Sequence, residues 1–139
     1  MQQNMENVMK RKIWLTCFGG CAYILLEIIW NGRSHWSMFI LGGICFRMIS
    51  LIRKFKVNLP IKCVLCGFGI TVAEFFSGVI LNIILKWHIW DYSFLPFNVL
   101  GQVCLPFTLL WTLISWPAIK IDEMLENKMN FAKKQNKFI

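Results

Sequence analysis

Glu27, Arg47 and Glu74 stand inside runs of residues that are otherwise apolar enough to dissolve in lipid. A charged side chain at the centre of a membrane helix costs roughly 2.5–3.5 kcal/mol on insertion scales. Such residues turn toward a bundle interior or a wet cavity, find partners, and mark the paths of protons, ions or polar solutes. Glu74 carries the strongest signal. It lies roughly 18–20 Å deep by helix rise, beyond the reach of a short acidic side chain toward water. It must be protonated, paired or wet. Arg47 stands close to the end of its apolar run and can reach the membrane surface or serve as the partner of Glu74. Glu27 lies nearer the opposite surface, close to Arg33 and His35.

At helical spacing these residues fall on polar stripes. Thr16, Gly20, Tyr23, Glu27 and Asn31 align in one run, and Gly43, Arg47 and Ser50 in the next. Gly67, Thr71, Glu74, Gly78 and Asn82 align in the third, and Asn98, Gly101, Thr108, Thr112 and Ser115 in the fourth. Lipid rejects such stripes, so they should face one another. Glu74, Glu27, Arg47, Asn82, Asn98 and Gln102 then form a candidate intramembrane polar site. His35, Trp36, His88, Trp90 and Asp91 form a candidate vestibule at its outer mouth. The competing explanation is packing: small residues let helices approach, and hydroxyls and amides bond between them. It serves the glycines and threonines well and Glu74 poorly. Glu27, His35, His88 and Asp91 have metal-ligand chemistry but no ligand spacing, so neither a metal nor a cofactor is expected.

The elements that must position these residues are helices. The chain of 139 residues is 57% hydrophobic, against about 45–50% in a soluble domain. Its net charge of +8 is not spread over a soluble face; the cations bracket apolar runs, which argues against a nucleic-acid partner and for the lipid bilayer. Six cysteines lie within the apolar runs and read as small buried hydrophobes, including the Cys63–Cys66 pair. The run after Lys10-Arg11-Lys12 is too long for a signal peptide and ends at Trp30-Asn31-Gly32-Arg33 without a cleavage pattern.

The reading is an all-α membrane protein, a bundle of four transmembrane helices near 13–30, 37–52, 61–85 and 97–119. A basic amino-terminal segment, 1–12, precedes them, and a basic amphipathic tail, 120–139, follows as a surface helix. Twelve Lys and Arg flank the two ends and the middle loop, while the other loops hold Arg33 and Lys86. That asymmetry places both termini in the cytoplasm of a multi-pass plasma-membrane protein. Pro60 should open the third helix, and Pro106 should kink the fourth and free the carbonyl of Gln102. The aromatic-rich loop from Lys86 to Phe97 should lie on the membrane surface. Leu41-Gly42-Gly43-Ile44-Cys45-Phe46 echoes Leu100-Gly101-Gln102-Val103-Cys104-Leu105, as two hairpins in a parallel repeat would.

Glu74-Phe-Phe-Ser-Gly78, Asn82 and Trp90-Asp91-Tyr92-Ser93-Phe94-Leu95-Pro96-Phe97-Asn98 make one long composite pattern. Gly101-Gln102-Val103-Cys104-Leu105, Trp111 and Gly32-Arg33-Ser34-His35-Trp36-Ser37 extend it over nearly the whole chain. The pattern resembles that of a bacterial family of small membrane proteins labelled putative ABC-transporter type IV, or CmpB-like. The resemblance implies a permease. The chain contains no Gly-x4-Gly-Lys-Ser/Thr loop for a nucleotide.

Two functional classes stay open. One is a permease component passing a proton, ion or small polar solute through the polar site; four helices enclose little, so it would work as a homo-oligomer or beside a partner membrane subunit. The other is a non-transporting subunit, assembly factor or sensor whose polar core fixes helix register. An enzyme is less expected, since no Ser–His–Asp set, His-Glu-x-x-His or nucleotide motif occurs.

Overall fold

The computed structural model describes residues 1–136 and is all helical apart from its loops. Lys137, counted above among the tail's cations, lies outside the described residues. Helix α1 spans Gln2–Asn31, α2 Trp36–Arg53, α3 Leu59–Gly78 and α4 Leu105–Asn136; a π-helical turn, Val79–Ile84, continues α3. Among the described residues three helices are long and apolar enough to cross a membrane: Gln2–Asn31, Trp36–Arg53 and Leu59–Ile84. The polar carboxy-terminal half of α4 sets it apart from these three. The chain is a multi-pass membrane protein.

Local chemistry sets the helix ends. Gly32, at φ 72°, closes α1 by donating its N–H to the Ile28 carbonyl at 2.8 Å, a left-handed cap open to glycine at little strain. The His35 ring accepts from the Ser37 N–H at the start of α2. Asn58 accepts from the Ile61 N–H at the start of α3, with Pro60 in its first turn, where a missing donor costs nothing.

α1 packs along α2, α3 along α4, and α2 joins the two pairs. The α1–α2 contact runs through bare backbone: a Cβ on Gly42 would fall 2.4 Å from the Gly19 carbonyl oxygen. Across α3 and α4, the Thr71 and Thr108 hydroxyls bond at 2.9 Å. These are the approaches that small residues and hydroxyls provide inside lipid, where apolar area alone gives helices no reason to associate.

The fourth helix departs from the sequence reading. It begins at Leu105, not near Phe97, and residues 98–104 are irregular backbone. Pro106 is therefore a first-turn residue and not an internal kink; the proline inside α4 is Pro117. The tail is no separate surface helix, because α4 continues through it to Asn136. Leu41–Phe46 is helical while Leu100–Cys104 is not, so the two echoing segments differ in conformation.

Residues 85–104 fold back over the bundle end. Trp90, Tyr92 and Gly101–Cys104 are buried. The Tyr92 N–H donates to the Gly101 carbonyl at 2.7 Å, and a bridge joins Val99 to Val103. Lys86, His88, Phe97 and Leu100 hold φ between 50° and 56°, a conformation that costs L-residues about 1 kcal/mol or more each and persists where packing over-determines it.

Candidate functional site

The Glu74 side chain comes from the middle of the continuous helical run Leu59–Ile84 and is 1% exposed. Its two oxygens take separate donors from separate helices. The Tyr23 hydroxyl of α1 donates to Oε1, and the Trp111 indole N–H of α4 donates to Oε2 at 2.9 Å. The Tyr23 and Trp111 rings stack on each other at 5.4 Å, so the two donors brace one another. No Lys or Arg of the described residues forms an ion pair with Glu74. A buried carboxyl held only by neutral donors is stable when it carries a proton or when a cation is brought to it.

Arg47 is not its partner. That side chain is exposed and lines a cavity at the end of the bundle holding the termini. The aromatic donors of α1 and α4 already occupy both oxygens of Glu74.

Asn82 and Gln102 do meet. Asn82 Nδ2 donates to Gln102 Oε1 at 2.9 Å, and Asn82 Oδ1 accepts from the Ile89 N–H at 2.8 Å. Asn82 sits in the π-helical turn, a feature that often accompanies functional positions in helices. The Gln102 carbonyl accepts from the Trp90 indole at 3.0 Å. It is free because α4 starts three residues later. Trp90 is thus part of the loop's packed interior and not of an open mouth.

Asn98 lies outside the polar core. Its side chain bonds the Ser93 and Leu95 carbonyls and the Gly101 N–H, all within the loop. Asp91 is exposed and turned to the Ser93 backbone N–H at 2.8 Å, which holds its carboxyl below the usual range. Both are turn-forming side chains.

Of the residues expected at the outer mouth, His35 and His88 share one cavity. Glu27, Arg33, His35, Trp87 and His88 line a cavity of about 170 Å³, and Glu27 accepts from the Ser34 hydroxyl at 2.6 Å. Trp36 is exposed beside it, 5.2 Å from the His35 ring. A second cavity of about 170 Å³ runs from Glu27 and Trp30 to Tyr23 and Trp111, with Tyr92 and Phe107 on its wall. An apolar groove of about 190 Å³ between α1, α2 and α4 also reaches Tyr23 and Trp111. The two residues that hold Glu74 therefore border two separate cavities.

One polar cluster escaped sequence reading. Asp122, fully buried, accepts from Arg11 Nη2 at 2.7 Å and from Arg53 Nε at 2.6 Å. Arg53 also pairs with Glu126, and Arg11 bonds Ser50 Oγ at 3.0 Å. The four-residue spacing of Asp122 and Glu126, one face of a helix opposite two basic flanks, was the available signal.

The family model described as putative ABC-transporter type IV matches residues 13–139. No curated protein and no solved structure matches the chain.

Proposed function

Because the chain belongs to the putative ABC-transporter type IV family, we propose that it is a permease component passing a proton or small cation, with Glu74 as the group that takes it up. The observation that carries this reading is the buried Glu74 carboxyl, held by two neutral donors. A carboxyl used only to fix helix register needs no cavities beside its donors; here Tyr23 and Trp111 border both. A small cation entering at Glu27 would pass aromatic walls that attract positive charge through their ring faces. Net transfer then requires Tyr23 or Trp111 to swing and open Glu74 to one side at a time.

The topology that goes with this reading has four spans and both termini cytoplasmic, on the charge asymmetry of the loops. A thiol reagent applied outside cells should then reach Ser34→Cys and miss Gln135→Cys; the reverse would refute the orientation. Energy or enclosure would come from copies of the chain or from a partner subunit, since the sequence holds no nucleotide loop.

One observation favours a second reading, a non-transporting subunit. Asn82 and Gln102 spend their amides on each other and on loop backbone, as a structural core would. A hydrophobic carbodiimide separates the two, because it modifies protonated carboxyls it can reach within a membrane. The permease reading expects modification at Glu74 in the folded protein. An unmodified Glu74 in folded protein would favour the structural reading.

A further inference from the structure

A cavity of about 320 Å³ opens at the other end of the bundle, between α1, α2 and α4. Five cationic side chains line it, Arg11, Lys12, Arg47, Lys54 and Lys133, against the single carboxylate of Glu126. That carboxylate is already committed to Arg53. Among the described residues Lys12, Arg47 and Lys54 form no ion pair. Arg11 carries the one buried side-chain nitrogen or oxygen without a hydrogen-bond partner among the described residues, its Nε. Concentrating like charge around a cavity is unfavourable unless something anionic offsets it.

We propose that this cavity binds a phosphate group. Arg47 supplies a planar fork suited to two phosphate oxygens, and Lys12 and Lys54 supply point charges beside it. The setting favours a phospholipid as the source of that phosphate. Val8, Leu15, Leu51 and Met129 share the cavity wall with the cations, giving an apolar side against which a glycerol backbone and acyl chain can lie. Arg47 stands more than a turn inside α2, and its long side chain can reach toward a headgroup at the membrane surface. Free phosphate would use the same cations without the apolar wall. The site is independent of Glu74.

The test uses the full chain in nanodiscs, with thermal unfolding followed as phosphatidylglycerol is titrated into phosphatidylcholine. Wild type should show saturable stabilisation at about one lipid per chain. The variant Lys12→Gln/Arg47→Gln/Lys54→Gln should lose about 100-fold in apparent affinity while unfolding normally in pure phosphatidylcholine. A control, Lys120→Gln/Lys128→Gln/Lys134→Gln, removes the same charge from the exposed tail and should retain the saturable effect. Inorganic phosphate or pyrophosphate added to phosphatidylcholine discs forms the second arm; stabilisation there, lost with the first variant, would support the site with a soluble ligand. Should the triple variant not insert, Arg47→Gln alone serves in its place, with Arg47→Lys expected to recover only part of the affinity. Equal losses in variant and control, or no saturable stabilisation in either arm, would overturn the proposal.

Discussion

Trp111 and Glu74 share a hydrogen bond of 2.9 Å across the α3–α4 interface, from indole N–H to carboxyl Oε2. Both side chains are buried. The indole has no other polar atom, so the bond fixes ring and carboxyl together. Trp111→Phe should keep most of the stack on Tyr23 and lose the donor. The expected cost is about 1–3 kcal/mol for an oxygen left unmet. It would appear as a lower thermal midpoint in detergent, larger than for Trp116→Phe on the exposed side of the same helix.

The Gly19–Gly42 contact gives a prediction of opposite character. A methyl at Gly42 would meet the Gly19 carbonyl oxygen at 2.4 Å and Tyr23 Cβ at 2.5 Å, and backbone cannot yield as a side-chain tip can. Gly42→Ala should force α1 and α2 apart and displace Tyr23 from Glu74. Overpacking of this kind costs typically about 1–3 kcal/mol. A thermal midpoint and activity equal to wild type would show that the close approach is dispensable.

Asp122 joins Arg11 and Arg53, and so ties the middle of α4 to α1 and to the carboxy-terminal end of α2. Asp122→Asn keeps the shape and removes the charge that two half-buried arginines face. Breaking a buried pair on one side costs about 3–5 kcal/mol. Asp122→Asn should therefore be among the most destabilising polar substitutions in the chain, and proteolysis of the amino-terminal turn of α1 should accelerate with it. Glu123→Gln, beside it on the exposed face, should change little.

How far this was legible in the sequence differs by region. The apolar runs and polar stripes locate α2, α3 and the end of α1 closely, because a lipid-spanning helix must satisfy its own backbone and declare its buried face. α1 itself begins at Gln2, so the basic segment expected to precede it is part of the helix. Glu74 stands out for the same reason. The start of α4 does not, since Phe97, Val99, Leu100, Val103 and Cys104 read as a continuation of an apolar helix. What overrides that pattern is turn chemistry: Asn98 reaching back to Leu95, Gly101 at φ 68°, and Pro106 in the first helical turn. Depth alone allows Arg47 either to reach Glu74 or to turn to the surface; the structure has aromatic N–H and O–H donors on that carboxyl and Arg47 exposed. Aromatic residues in membrane helices are usually read as lipid anchors, which hides donors such as Trp111.

The terminal ion cluster also predicts a pH dependence. The hydrogen bond from Arg53 holds the Glu126 carboxyl below its ordinary value, aided by the charges of Arg53, Arg11 and Lys54, while desolvation opposes the shift. A carboxyl that binds its proton less readily when folded contributes fully above the unfolded value of 4.5. Its contribution fades as pH falls through the lower folded value. The thermal midpoint should therefore drop as pH is lowered from about 6 to about 4, and Glu126→Gln should flatten that slope while lowering the midpoint at neutral pH. An unchanged slope in the variant would remove Glu126 from the account.

The central claim is that Glu74 takes up the transported ion, and ion flux in proteoliposomes tests it most directly. Vesicles containing the chain, a trapped pH- or cation-sensitive dye and an imposed membrane potential should report a flux above that of empty vesicles. Glu74→Gln preserves size; its amide oxygen can accept from the Trp111 indole N–H while its NH2 donates to the Tyr23 hydroxyl oxygen. The account predicts that this variant inserts, keeps a thermal midpoint close to wild type, and falls to the flux of empty vesicles. A folded Glu74→Gln protein with wild-type flux would contradict it and leave the buried carboxyl a structural brace.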